Sequence, residues 1–237
     1  MRIGLLAAAG LSAGAVLAAD GSVTATVSPA GQVVFEQGGR RVAELIPGLF
    51  REGWRGAQLG PPADWDRLSR DVRRGTIEVS DGSFVDTEVR IRREGDGLHA
   101  AVSLTPRQAV RLNSLHVTFE LPADVLVGGR YTAEGASERI PGVHDETHLR
   151  PSQPTSRIRI TGPDGLSFAF RFDEPVPVLL QDNRRWGPSF SLRIGPQMPD
   201  GEWWPAGRAF STSFVLDCSQ PVELMYDDPV TIEAGPD

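Results

Sequence analysis

The sequence contains no lysine; all 24 of its basic side chains are arginine. An ammonium is a compact point charge, whereas a guanidinium is a planar fork suited to gripping carboxylates. A chain without lysine offers only the second geometry, although compositional bias accounts for the same pattern. Cysteine is almost absent too. Cys218 is the only one, so no intramolecular disulfide can form and the core must hold unaided. Because Cys218 follows Phe214, Val215 and Leu216, it reads as a small buried hydrophobe rather than a nucleophile. A basic excess is also lacking. The net charge of -7 argues against nucleic acid, whose phosphates demand a basic surface. There is no Gly-rich phosphate loop, no Ser-His-Asp spacing and no Cys/His zinc cluster, so no cofactor is expected.

Long apolar runs are missing after the first residues. Ile3 to Leu17 is apolar but too short and too rich in Ala and Gly for a comfortable membrane span. With Arg2 before it and the small residues Val16-Leu17-Ala18 at its end, 1–19 reads as a secretory signal, the alternative being an uncleaved anchor. The expectation is a secreted or periplasmic bacterial protein with one domain over 20–237. No Cys lies where a lipid anchor would need it.

What is present is turn chemistry and alternation. Gly 26 and Pro 19 punctuate many short apolar runs of period two, the pattern of half-buried strands. Leu115, Val117, Phe119 and Leu121 alternate with His116, Thr118 and Glu120. Phe168, Phe170 and Phe172 alternate with Ala169 and Arg171. Val23–Val27 and Gln32–Phe35 suggest an opening hairpin that Arg41–Ile46 continues, and Val230–Glu233 suggests a last strand. Leu49 to Trp54 reads as a loop whose two aromatics plug an end of the core. A short helix capped by Asp64 is suggested by Trp65, Leu68 and Val72 on one face. The sum is an all-β chain, a large two-sheet antiparallel β-sandwich of the supersandwich kind.

Three stretches carry a resemblance: Leu112-Asn113-Ser114-Leu115-His116-Val117-Thr118-Phe119, Leu179-Leu180-Gln181-Asp182-Asn183-Arg184-Arg185-Trp186, and Trp204-Pro205-Ala206-Gly207-Arg208. They resemble the large β-sandwich domain placed ahead of the catalytic barrel in secreted bacterial glycoside-hydrolase-like proteins. The resemblance covers about Val33 to Ile232. It implies a carbohydrate-associated sandwich. The family's hydrolase activity belongs to a barrel beyond the matching residues and does not transfer to them.

The densest set of recognition groups is Asp182-Asn183-Arg184-Arg185-Trp186, between a short apolar run and the strand from Ser189 to Ile194. An indole can stack on the C–H face of a sugar while carboxylate, amide and guanidinium groups bond its hydroxyls. The same residues could instead make an Asx turn, an ion pair and a packed end of the sandwich. Trp203 and Trp204 are a second candidate platform, on opposite faces if they lie in a strand. His116 and Glu120 share the polar face of one strand about 13 Å apart, too far to bond each other yet able to flank a substrate as acid and base. His144 and His148 bracket Asp145 and Glu146, but the flanking Pro and Gly residues make a solvated loop the expectation, and no metal site is expected. Arg90, Arg92, Arg157, Arg159, Arg171 and Arg193 hold polar strand phases. If several share a face they make a basic patch suited to uronate-type polysaccharides, unless Glu88, Glu94 and Asp173 neutralise them.

Three functions remain open. The first is a non-catalytic module that binds a polysaccharide or oligosaccharide, or supports a separately encoded catalytic domain. The second is an epimerase or polysaccharide lyase on the same fold. The third is an envelope protein-interaction domain.

Overall fold

The computed structural model describes residues 21–57, 59, 70–80, 82–144 and 147–227. The expected signal segment, the 64–68 part of the expected helix and the expected strand Val230–Glu233 lie outside them. Val72, assigned above to that helix, instead opens a strand.

The chain begins with β1 (Val23–Val27), β2 (Val33–Gln37) and β3 (Arg40–Arg51), from which short β4 (Arg55–Ala57) folds back. A meander follows: β5 (Val72–Ser80), β6 (Ser83–Glu94) and β7 (Gly97–Pro106). β8 (Val110–Pro122) runs into the single-turn helix α1 (Ala123–Leu126). β9 (Arg130–Ala133) and β10 (Ala136–Arg139) form a small hairpin. Two long strands come next, β11 (His148–Thr161) and β12 (Ser167–Asp182). β13 (Ser189–Ile194), β14 (Gln197–Trp204), β15 (Phe210–Cys218) and β16 (Val222–Tyr226) complete the described chain.

Hydrogen bonding links the strands in one path, β16-β1-β2-β3-β8-β13-β12-β15-β7-β6-β5. The β1–β16 pair is parallel, and the other pairs along the path are antiparallel. The architecture is therefore the all-β sandwich expected, made by one sheet turning back on itself. β12 makes the turn. Its first half, Phe168–Phe172, pairs with β15, while Val178–Asp182 pairs with β13. Between them Pro175 and Pro177 lack the N–H a continuous ladder would need, which suits a corner.

Alternation decides which side chains meet inside. Phe35 from β2 and Phe119 from β8 meet Phe168 and Phe170 from β12 edge-on, at centroid distances of 5.0–6.0 Å. Phe170 and Phe172 in turn pack on Phe214 of β15. The aromatic cluster thus ties the two layers together.

One expectation changes. β3 does not end near Ile46 but runs to Arg51, because Leu49 is buried and pairs with Leu115 of β8. Phe50 and Trp54 consequently do not plug the core. Phe50 falls on the opposite phase to Leu49, on the outer face.

Candidate functional site

The outer face of the β3-β8-β13-β12 layer is unusually polar for a surface so well covered. Inward residues take one phase, so Gly48 and Phe50 of β3, His116 and Glu120 of β8, Ser191 and Arg193 of β13, and Leu179 and Gln181 of β12 take the other. The registers align them, with Gly48 opposite His116, Glu120 opposite Ser191 and Ser191 opposite Gln181. A cleft of about 890 Å³ opens on this face, within the range of ligand sites. Phe50, Leu179, Gln181, Glu120, Ser189 and Arg193 line it, and His148, Pro151 and Ser152 of β11 close one side.

Two tryptophans line it as well. Trp54 sits in the three-residue turn between β3 and β4 with a φ of 60°, a left-handed backbone that a bulky residue rarely adopts. Its backbone N–H donates to Asn113 Oδ1 at 3.2 Å, and Asn113 Nδ2 donates to the carbonyls of Met198 and Pro199 at 2.9 Å. One buried amide therefore ties the Trp54 turn to β14. Trp186 comes from the β12–β13 turn. Its N–H donates to the Asn183 carbonyl at 2.7 Å, as Gly187 N–H does at 2.9 Å. Both indoles are open to solvent, Trp54 at 43% and Trp186 at 63%.

Beneath them runs a continuous hydrogen-bond chain. Gln181 Nε2 donates to Asn183 Oδ1 (2.8 Å), and Asn183 Nδ2 donates to Ser191 Oγ (2.6 Å). Ser191 and Ser189 then donate one hydroxyl each to the two oxygens of Glu120. Glu120 is thereby fixed as an acceptor in the cleft. Arg193 Cζ lies 4.5 Å from the centroid of the Phe50 ring.

His116 is not in the cleft. It is 4% exposed, stacks under Phe50 at 5.2 Å, and bonds Ser114 Oγ through Nδ1 at 2.8 Å. A Cβ on Gly48 would lie 3.4 Å from its Nε2, so the ring packs closely against the β3 backbone. Burial, with the Arg193 charge added, pushes its pKa down to about 3. It stays neutral at any ordinary pH and cannot supply a proton. A prediction follows from this. Below about pH 6.5 the unfolded imidazole binds a proton that the folded one refuses, so stability falls with pH and the loss levels off near pH 3. Between pH 7.5 and 5 this residue alone should cost about 2 kcal/mol. Urea unfolding at the two pH values should show the drop in the wild type, reduced by that amount in His116→Gln. Equal drops would mean that His116 is solvated.

The other candidate residues separate. Asn183 and Trp186 line the cleft with Glu120 and His148. Asp182 points inward and is fully buried, where it takes Arg184 Nε and Nη2 at 2.6–3.1 Å. Arg184 also donates to the carbonyls of Gly142 and Pro141 and stacks on Phe190. These two residues hold the turn together rather than facing a ligand. Arg185 is exposed, its guanidinium 5.8 Å from the Trp186 ring. Trp204 is 9% exposed with its indole N–H on the Arg208 carbonyl, whereas Trp203 is 69% exposed on a separate depression with Arg51, Glu52 and Arg111. His144 lies near Asp182, where its charge helps lower that carboxyl. Asp145 and Glu146 are outside the described residues, among which no cluster of three or more His, Cys, Asp or Glu could hold a metal.

Five of the six strand arginines share the outer face of the other layer. Arg157 is opposite Arg171, Arg171 opposite Val215, Val215 opposite His99, and His99 opposite Arg92. Arg90 and Arg92 border an open groove of about 1010 Å³, in which Arg92 pairs with Glu94 and Asp173 takes the Ser213 hydroxyl. Among the described residues that line that groove there is one phenyl ring, Phe210, and no tryptophan. Only Arg193 faces the aromatic cleft. Phe50 and Trp54 line the cleft although the sequence suggests a core plug for them, and Arg193 lines it apart from the five arginines with which the sequence groups it; the signal for Phe50 and Arg193 is their outward phase.

No family model matches the chain, and no curated protein matches it. Among solved structures it is similar to an Escherichia coli K12 protein provisionally named an aldose 1-epimerase, at 12% identity over 84% of this chain and 99% of the other, with a TM-score of 0.46. A galactose mutarotase-like protein from Lactobacillus casei ATCC 334 gives 12% identity, 76% and 85% coverage and a TM-score of 0.41. A galactose mutarotase related enzyme from Lactobacillus acidophilus gives 10% identity, 78% and 85% coverage and 0.40. Similarity at this level assigns no residue a role.

Proposed function

We propose that this chain binds saccharide in the cleft between Trp54 and Trp186. The observation that carries the reading is the joint presence of two solvent-open indoles and a fixed hydrogen-bond chain ending on Glu120. A pyranose offers apolar C–H faces and a rim of hydroxyls. Indole rings match the first, and an acceptor carboxylate with neighbouring amides matches the second. The turns that carry both indoles are tied down by backbone hydrogen bonds to Asn113 and Asn183, which lowers the ordering cost of binding.

Trp186→Ala should weaken binding to the best ligand of a glycan panel roughly 30-fold, equivalent to about 2 kcal/mol. Its folding stability should move by less than about 0.5 kcal/mol, because the side chain is mostly in water. Unchanged affinity on Trp186→Ala, or no glycan bound at all, would remove the proposal.

A second reading, acid–base chemistry on the sugar, is favoured by one observation. Glu120 and His148, a carboxylate and an imidazole, line the same cleft. Glu120 would be the base and His148 the acid, the role that the buried His116 cannot fill. Polarimetry on freshly dissolved α-D-galactose tests it. Accelerated mutarotation that Glu120→Gln abolishes while binding persists would make the chain an enzyme, and no acceleration would leave it a binding protein.

A further inference from the structure

Arg193 lies in the cleft floor with no hydrogen-bond partner among the described residues. It is 8% exposed and is the only arginine or lysine among the described residues that line the cleft. Its contact is with the Phe50 ring at 4.5 Å; it makes no hydrogen bond and no ion pair with any described residue. Glu120, whose charge acts on Arg193, bonds the hydroxyls of Ser189 and Ser191 rather than the guanidinium. Two other guanidinium groups with little solvent exposure, by contrast, find acceptors within the fold. Arg150 donates to Val178 O at 2.7 Å and Thr155 Oγ1 at 2.7 Å, and Arg184 chelates Asp182. A buried cation with open donors is costly unless something else accepts them.

We infer that the cleft takes an acidic sugar, a hexuronate residue whose carboxylate pairs with the Arg193 guanidinium. This inference rests on the saccharide reading of the same cleft. The fork geometry favours a planar carboxylate held by two parallel N–H bonds. Charge favours a monoanion. Arg193 alone must balance the ligand while Glu120 shares the cleft, so a dianionic phosphate would leave surplus negative charge. The chain as a whole is acidic at -7 and exerts no general pull on anions, so recognition must come from this one contact. Burial pushes the Arg193 pKa down to about 10, with Glu120 opposing the shift, and it therefore remains charged at neutral pH.

Calorimetric titration with digalacturonate and with its carboxyl-reduced, neutral counterpart tests the inference. In the wild type the acidic disaccharide should bind roughly tenfold or more tighter, the value of a charge-assisted pair. Arg193→Met keeps the stem over Phe50 and should abolish that preference; Arg193→Lys should restore only part of it. Equal affinity for the two disaccharides in the wild type, or a preference that survives Arg193→Met, overturns the inference and leaves the saccharide cleft standing. Tighter binding of glucose 6-phosphate than of glucuronate overturns the carboxylate assignment. Binding of none of these sugars removes the saccharide reading and this inference together. Should Arg193→Met fail to fold, the wild-type comparison of acidic and neutral disaccharides still decides.

Discussion

Replacing Asp182 by alanine is expected to lower folding stability by about 3–5 kcal/mol, the cost of leaving a buried charge without its partner. Asp182 ends β12 with its side chain on the inward phase, fully buried. Burial alone would raise its pKa. The Arg184 hydrogen bonds and charge outweigh this and hold the carboxyl below its ordinary range. Removing the carboxylate strands a guanidinium that is 13% exposed. The turn that presents Trp186 would lose its anchor at once, because Arg184 also bridges to the carbonyls of Pro141 and Gly142. Chemical denaturation measures the loss, and the double variant Asp182→Leu/Arg184→Met should recover part of it, since an apolar pair has no charge to compensate. A cost under about 1 kcal/mol for Asp182→Ala would show that the pair is solvated and the turn is held by other contacts. Trp186→Ala, four residues on, should barely alter stability while weakening saccharide binding. The contrast separates support from contact within one short stretch.

Phe119→Ala should cost a similar 3–5 kcal/mol. Phe119 is fully buried on β8, and its ring lies 5.5 Å from Phe35, 5.0 Å from Phe168 and 5.0 Å from Phe170, all edge-on. Such pairs add to the burial energy of the ring. The position matters because Phe35 and Phe119 belong to one layer, and Phe168 and Phe170 to the other. A cavity there loosens the seam between layers, and no single neighbour can refill it without leaving another ring. The thermal midpoint should fall by on the order of 10 °C for a chain of this size. Phe119→Leu, which keeps most of the volume, should cost much less. If Phe119→Ala and Phe119→Leu were equally mild, the aromatic seam would not be what joins the layers.

Alternation along each strand was readable from the residues because burial acts on every strand separately. Leu115, Val117, Phe119 and Leu121 had to face one way and His116 and Glu120 the other, whatever the strand paired with. The all-β class and the three inward phenylalanines of β12 follow from the same local rule, whereas Cys218 ends β15 only half-buried against the core. The site did not follow from it. Gly48, His116, Glu120, Ser191 and Arg193 come together through the registers β3–β8 and β8–β13, between strands separated by tens of residues in the chain. A shift of one residue would turn every one of them to the other face. Trp54 reached the cleft only because β3 ran on past Ile46 and its turn adopted a left-handed backbone held by Asn113. Arg184 and Arg185, equivalent in the sequence, parted because one found Asp182 beneath the turn and the other found water. Local burial preference therefore set which side chains could be outside, while long-range strand pairing set which outside residues are neighbours.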